Sequence, residues 1–187
     1  MKKILVLLFL LLFAISANAQ SNNKSVKVVF KKLPNTLAEF TSLPQASMKT
    51  PFDTASMFVV AMLVYPKDTP EAIAMVNYLK GPQPLSNYDK QFLADRMRDK
   101  GDYIAKSFFA GATPGNNYTP REPYTITVSE NPYTYQEKGY AKLYIQSGGA
   151  DSPRPIQLRQ AKDGKWYLWE QYLLSDIRPP EDSNPWM

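Results

Sequence analysis

The segment RPIQLRQAKDGKWYLWEQYL (154–173) sets an Asp163-Gly164 dipeptide between two runs in which apolar and polar residues alternate. Asp-Gly in that setting is the strongest short-range hairpin signal, because both central residues of a two-residue turn take positive φ. Such a turn makes Lys162 face Lys165, Gln160 face Tyr167, Leu158 face Trp169 and Ile156 face Gln171. Ile156, Leu158 and Trp169 then share the core face. Gln157, Arg159, Leu168 and Glu170 lie on the other, where Arg159 and Glu170 can pair diagonally. Trp166 and Tyr172 add apolar surface to this second face, which the N-terminal segment is expected to cover in part.

Two runs upstream, YTITVSE (124–130) and GYAKLYIQS (139–147), alternate in the same way, so four strands follow one another. Ahead of the turn-rich ATPGNNYTPREP (112–123) the period is helical. Asp53 reads as the N-cap of TASMFVVAMLVY (54–65), which is apolar on nearly every side and so expected to be the buried central helix. Thr69, with Pro70 at the first helical position, opens a helix that ends at Gly81-Pro82. Ser86 and Asp89 form a capping-box pattern for a third, carrying Tyr88, Phe92, Leu93 and Met97 at helical spacing. Its Asp95, Asp99 and Asp102 alternate with Arg96, Arg98 and Lys100, the pattern of a solvated, ion-paired face rather than of a metal site. DYIAKSFFAG (102–111) reads as one more helical stretch. Val26–Phe30 is a short strand, and the proline-broken segment after it holds one short helix over 36–41. Helices first and a meander second predict an α+β fold, with the helices packed on one face of an antiparallel sheet of about four strands. A cystatin-like or nuclear-transport-factor-like form follows by analogy of element order.

Lys2-Lys3, the apolar run Ile4–Ile15 and Ala17-Asn18-Ala19 have the layout of an export signal cleaved after Ala19. About a dozen apolar residues fall short of the roughly twenty that span a bilayer, so a retained anchor is the weaker alternative. The expected division is residues 1–19 as signal peptide, 20–50 as a leader with a short strand, and 51–187 as a single α+β domain. The mature chain is expected to be periplasmic or secreted, without a membrane span.

The chain has no Cys and no His. A disulfide framework, a thiolate nucleophile, a Ser-His-Asp triad and the usual zinc, copper or non-haem iron sites are closed to it. Carboxylate-pair chemistry, Ser-Lys chemistry and oxygen-ligated calcium or magnesium stay open, but no residue cluster calls for a metal or cofactor. The formal charge of +5 includes Lys2 and Lys3, and no basic run is interleaved with aromatics, so nucleic acid is not an expected partner.

The same hairpin register brings SGGADSPRP (147–155) and SDIRPP (175–180) to one end of the sheet. Asp151, Ser152 and Arg154 from one loop and Asp176 and Arg178 from the other then form a proline-stiffened charged corner. Arg154 is expected to pair with Asp176, and Arg178 with Asp151. Two readings compete: an anion or carboxylate-ligand site with the arginines as forked donors, or bridges that pin the C-terminal tail. An Asp151–Asp176 catalytic couple is disfavoured, because neighbouring arginines lower carboxyl pKa values where a general acid needs one raised. The blocks AMLVYPKDTP, YIAKSFFAGATPGNNY, PYTITVSENPY, SGGADSPRPIQL, GKWYLWE and IRPP…DSNPW resemble an uncharacterised bacterial domain-of-unknown-function family of small, often exported proteins. The resemblance covers about residues 50 to 187, and implies a complete module with no assigned activity, cofactor or catalytic residue. The expected function is that of an exported, non-catalytic module binding a ligand or protein partner, with a carboxylate-based, glycan-directed envelope hydrolase as the alternative.

Overall fold

The computed structural model describes residues 24–183; the expected signal peptide and the terminal Trp186 lie outside them. Five strands form one antiparallel sheet in chain order: β1 (Ser25–Phe30), β2 (Tyr124–Ser129), β3 (Tyr140–Ile145), β4 (Arg154–Gln160) and β5 (Trp166–Gln171). Between β1 and β2 run the helices α1 (Leu37–Thr41), α2 (Pro51–Val64), α3 (Thr69–Lys80), α4 (Asn87–Met97) and the single turn α5 (Tyr103–Lys106). The fold is α+β with five strands, not four. The fifth is β1, which pairs with β2 along the edge of the sheet instead of covering its second face.

Helix α2 is the hub. Every residue of it except Asp53 is buried, and it touches all five strands. Such a helix loses nothing by being apolar all round, because α3 and α5 cover what the sheet does not. Its cap is Thr50, not Asp53: Pro51 takes the first helical position, where a missing N–H is harmless. The Thr50 hydroxyl accepts from the Asp53 N–H at 3.2 Å and donates to its carboxylate at 2.6 Å. Asp68 rather than Thr69 likewise caps α3. At α4 the capping box forms as read, with Ser86 and Asp89 each accepting the other's backbone N–H.

The β4–β5 hairpin corrects the expected register. Asp163 keeps negative φ and only Gly164 turns left-handed, at φ 80°. The loop is therefore three residues long, with Gly164 N–H donating to the Ala161 carbonyl and Ala161 N–H to that of Lys165. Leu158 consequently faces Leu168, and a bulge after it restores the Ile156–Gln171 and Gln157–Glu170 pairs. Leu168 joins the core, and Trp169 moves to the outer face. There it meets the Arg159 guanidinium, which stacks at 4.6 Å from the indole centroid and does not pair with Glu170.

Strands β2 and β3 pair only at Val128–Ile145 and Ser129–Tyr144. Where they diverge, the chain after α5 enters: Phe109 bridges to Ile126, and Ala110 N–H donates to the Thr125 carbonyl at 2.8 Å. The expected helix over 102–111 is cut short after Lys106, because these later residues pair with β2 where β3 diverges from it. The 3-10 turn Pro44–Ser47 and the start of α2 blunt both edges of the sheet. Gln45 donates to the Val29 carbonyl, Trp166 N–H donates to that of Met48, and Thr54 donates to that of Trp166.

Candidate functional site

The two Arg-Pro loops meet at one end of the sheet. The glycine pair of SGGAD is there for close packing. A Cβ on Gly148 would overlap the Ala112 carbonyl oxygen, and one on Gly149 the Tyr118 hydroxyl. Into this space the C-terminal tail is tied by its backbone. Arg178 N–H donates to the Gly149 carbonyl at 2.9 Å, and the Arg178 carbonyl accepts from Tyr118 Oη at 2.6 Å. Tyr118 is fully buried and stacked on Tyr103, with ring centroids 5.7 Å apart. Burial pushes its phenol up to about 12, against the pull of Arg178 and with a smaller push from Tyr103.

Around this backbone clamp the charges arrange themselves in part as expected. Arg178 Nη1 lies 2.6 Å from Asp151 Oδ1. That hydrogen bond and charge hold the Asp151 carboxyl below its usual range, and Asp151 in turn raises Arg178. Arg154 does not reach the Asp176 carboxylate. Its Nη2 donates to the Asp176 backbone carbonyl at 2.8 Å, its Nη1 lies 3.4 Å from Ser152 Oγ, and its Nε has no partner among the described residues. Asp176 turns the chain at φ 55°, a conformation that Asp tolerates, which aims its carbonyl at the guanidinium. Both arginines are thus engaged within the protein, and Asp151 is tuned away from general-acid duty. On α4 and the turn after it, Asp95 pairs with Arg98 and Asp102 with Lys106. No group of Asp and Glu side chains among the described residues could hold a metal ion. No helix among them is long and apolar enough to cross a membrane.

The open spaces lie elsewhere, along β5. An upper cleft of 430 Å³ runs between α4 and β5, lined by Phe58, Val76, Leu93 and Leu168 together with Asp89, Glu170 and Gln171. Tyr88 from α4 and Tyr172 from beyond β5 also line it; these side chains are 78% and 52% exposed. The capping box fixes the helix turn that carries Tyr88. Burial opposes ionisation of Asp89 there, yet hydrogen bonds from Ser86 outweigh it and lower its pKa. A lower cleft of 280 Å³ sits beside the hairpin, lined by Pro82, Arg159, Lys162, Tyr167 and Trp169. Lys80 lines both clefts, and its Nζ lies 3.4 Å from the Trp169 carbonyl oxygen.

The chain belongs to a family described as Domain of unknown function (DUF6935). The match spans residues 32–181. It takes in both Arg-Pro loops, the clamp at Tyr118 and the residues of both clefts, and starts just after β1. The DUF6935 chain matches no curated protein and no solved structure.

Within this DUF6935 domain, Tyr118 and the clefts were invisible to sequence reasoning. Tyr118 sits in a turn-rich connector, with Asn117 and Tyr118 both at positive φ, where no periodicity marks a buried side chain. The clefts are made by β5 together with the end of α3 and the start of α4, elements far apart in the chain.

Proposed function

We propose that this domain is an exported, non-catalytic binding module that holds a small apolar molecule in the upper cleft. The observation that carries the reading is the placement of Tyr88 and Tyr172. Two large aromatic side chains stay exposed in a cleft that Phe58, Val76, Leu93 and Leu168 also line. Apolar surface left open in a concavity of ligand size is the usual mark of a binding site. In this reading the charged corner of Asp151, Ser152, Arg154, Asp176 and Arg178 is a fastener for the tail. The hydrolase alternative needs a carboxyl with a raised pKa, and Asp151 is lowered. Export rests on the N-terminal sequence pattern; intact mass of the protein recovered from the cell envelope or medium should lack residues 1–19. The order of one strand, helices and a four-strand meander, with α2 seated on one face, supports the cystatin-like arrangement.

The neutral dye N-phenyl-1-naphthylamine tests the site. It should bind with a saturable rise in fluorescence, and Tyr88→Ala and Tyr172→Ala should each weaken it about fivefold, the cost of one aromatic contact. Both positions are exposed, so the variants should melt like the parent. No saturable binding, or the same affinity in both variants, would sink the reading.

A further inference from the structure

The lower cleft carries unbalanced positive charge. Arg159, Lys80 and Lys162 line it, with the amides of Gln83 and Gln160, and no carboxylate among the described residues does. The neighbouring acids are already engaged. Asp163 accepts from Tyr167 Oη at 2.8 Å and from Lys165 N–H at 3.0 Å, and Glu170 accepts from Tyr172 Oη at 2.7 Å.

Arg159 is the informative residue. Its guanidinium lies over two rings, 4.6 Å from the centroid of Trp169 and 5.2 Å from that of Tyr140. Those rings meet edge to face at 5.7 Å. Among the described residues it makes no ion pair and no hydrogen bond to a protein acceptor. An arginine stacked in this way gives up little further side-chain freedom on binding, and its N–H fork remains available. The three-residue hairpin loop creates the arrangement: it sets Leu168 opposite Leu158 on the core face, so the next residue, Trp169, turns outward. Tyr167, Pro82 and Leu168 supply the cleft with apolar surface.

We propose that this lower cleft binds a small organic carboxylate with a ring body. The carboxylate takes the fork of Arg159, assisted by Lys162 and Lys80, and the ring lies against the aromatic wall. A free aromatic acid and an acidic sugar of a glycan share this chemistry.

Calorimetric titration of the full-length protein as isolated tests the site with benzoate, glucuronate and their neutral counterparts, benzyl alcohol and glucose. At least one acid should bind saturably at millimolar concentration or below, and its neutral counterpart at least tenfold more weakly. Binding of benzoate alone assigns the site to aromatic acids; binding of glucuronate alone assigns it to acidic sugars. Arg159→Met keeps the apolar stem and should weaken acid binding roughly tenfold or more, the consequence of removing a charge-assisted hydrogen-bonding group. Lys162→Ala should weaken it by a smaller factor. Tyr88→Ala belongs to the upper cleft and should leave acid binding unchanged, so the two sites can fail separately. The inference is overturned if neither acid binds, if the neutral counterparts bind as well, if Arg159→Met binds like the parent, or if Tyr88→Ala abolishes acid binding.

Discussion

Removing one oxygen tests how the tail is held. In Tyr118→Phe the ring keeps its place against Tyr103, and only the hydroxyl that donates to the Arg178 carbonyl at 2.6 Å is lost. An ordinary hydrogen bond contributes about 0.5–1.5 kcal/mol net, and a buried acceptor left without a donor costs about 1–3 kcal/mol. Tyr118 is fully buried, while the Arg178 side chain is half exposed, so water can reach the orphaned carbonyl more readily than the vacated space. The expected loss is therefore about 1–2 kcal/mol. For a chain of this size that corresponds to a fall in Tm of roughly 2–8 °C. Urea titration followed by circular dichroism gives the free energy. Hydrogen exchange adds a local measure, because the Arg178 amide, bonded to the Gly149 carbonyl at 2.9 Å, should lose protection more than the amides of α2. A loss below about 0.3 kcal/mol, with Arg178 protection unchanged, would refute the claim that this bond fastens the tail.

The same phenol gives a pH prediction. Its folded pKa is raised to about 12 from 10, so the unfolded chain loses the proton first. The stabilisation is complete below about pH 10 and is lost as pH rises through about 12; Tyr118→Phe should show a shallower alkaline fall in stability than the parent. Leu63→Ala, which empties volume in the buried hub helix, should cost about 2–5 kcal/mol in denaturant titration. Gly148→Ala forces a Cβ into the backbone of Ala112 and should cost about 2 kcal/mol or more, whereas Gly164→Ala meets open space and should cost only about 1 kcal/mol from its positive φ. Equal losses in the two glycine variants would contradict the packing described for the SGGAD loop.

Much of the fold could be read in the residues because the signals were local. Apolar continuity over 54–64 marked α2 as the buried helix, and the Ser86–Asp89 pair marked the start of α4. Alternation marked the four strands of the meander, and the Asp-Gly turn brought both Arg-Pro loops to one end of the sheet. Errors arose where several local solutions were compatible with the same residues. Thr50-Pro51 and Asp53 can both open a helix, and Asp163-Gly164 can close a loop of two residues or three. Only the second loop, with its compensating bulge, places Leu168 in the core.

The amino-acid sequence alone determined the order and type of the elements and the closing of cysteine and histidine chemistry, since propensity, capping and side-chain inventory act within a few residues. Tertiary structure decided the place of β1, the partners of the charges and the sites. β1 reaches β2 across all the helices, so its pairing depends on how α2 fills the sheet. Arg154 chose the Asp176 backbone because a left-handed turn aimed that carbonyl at it. Arg159 stacks on Trp169, with no protein acceptor among the described residues, because the three-residue loop turned Trp169 to the outer face. Such outcomes depend on how separate elements come together in the folded chain, and no local pattern encodes them.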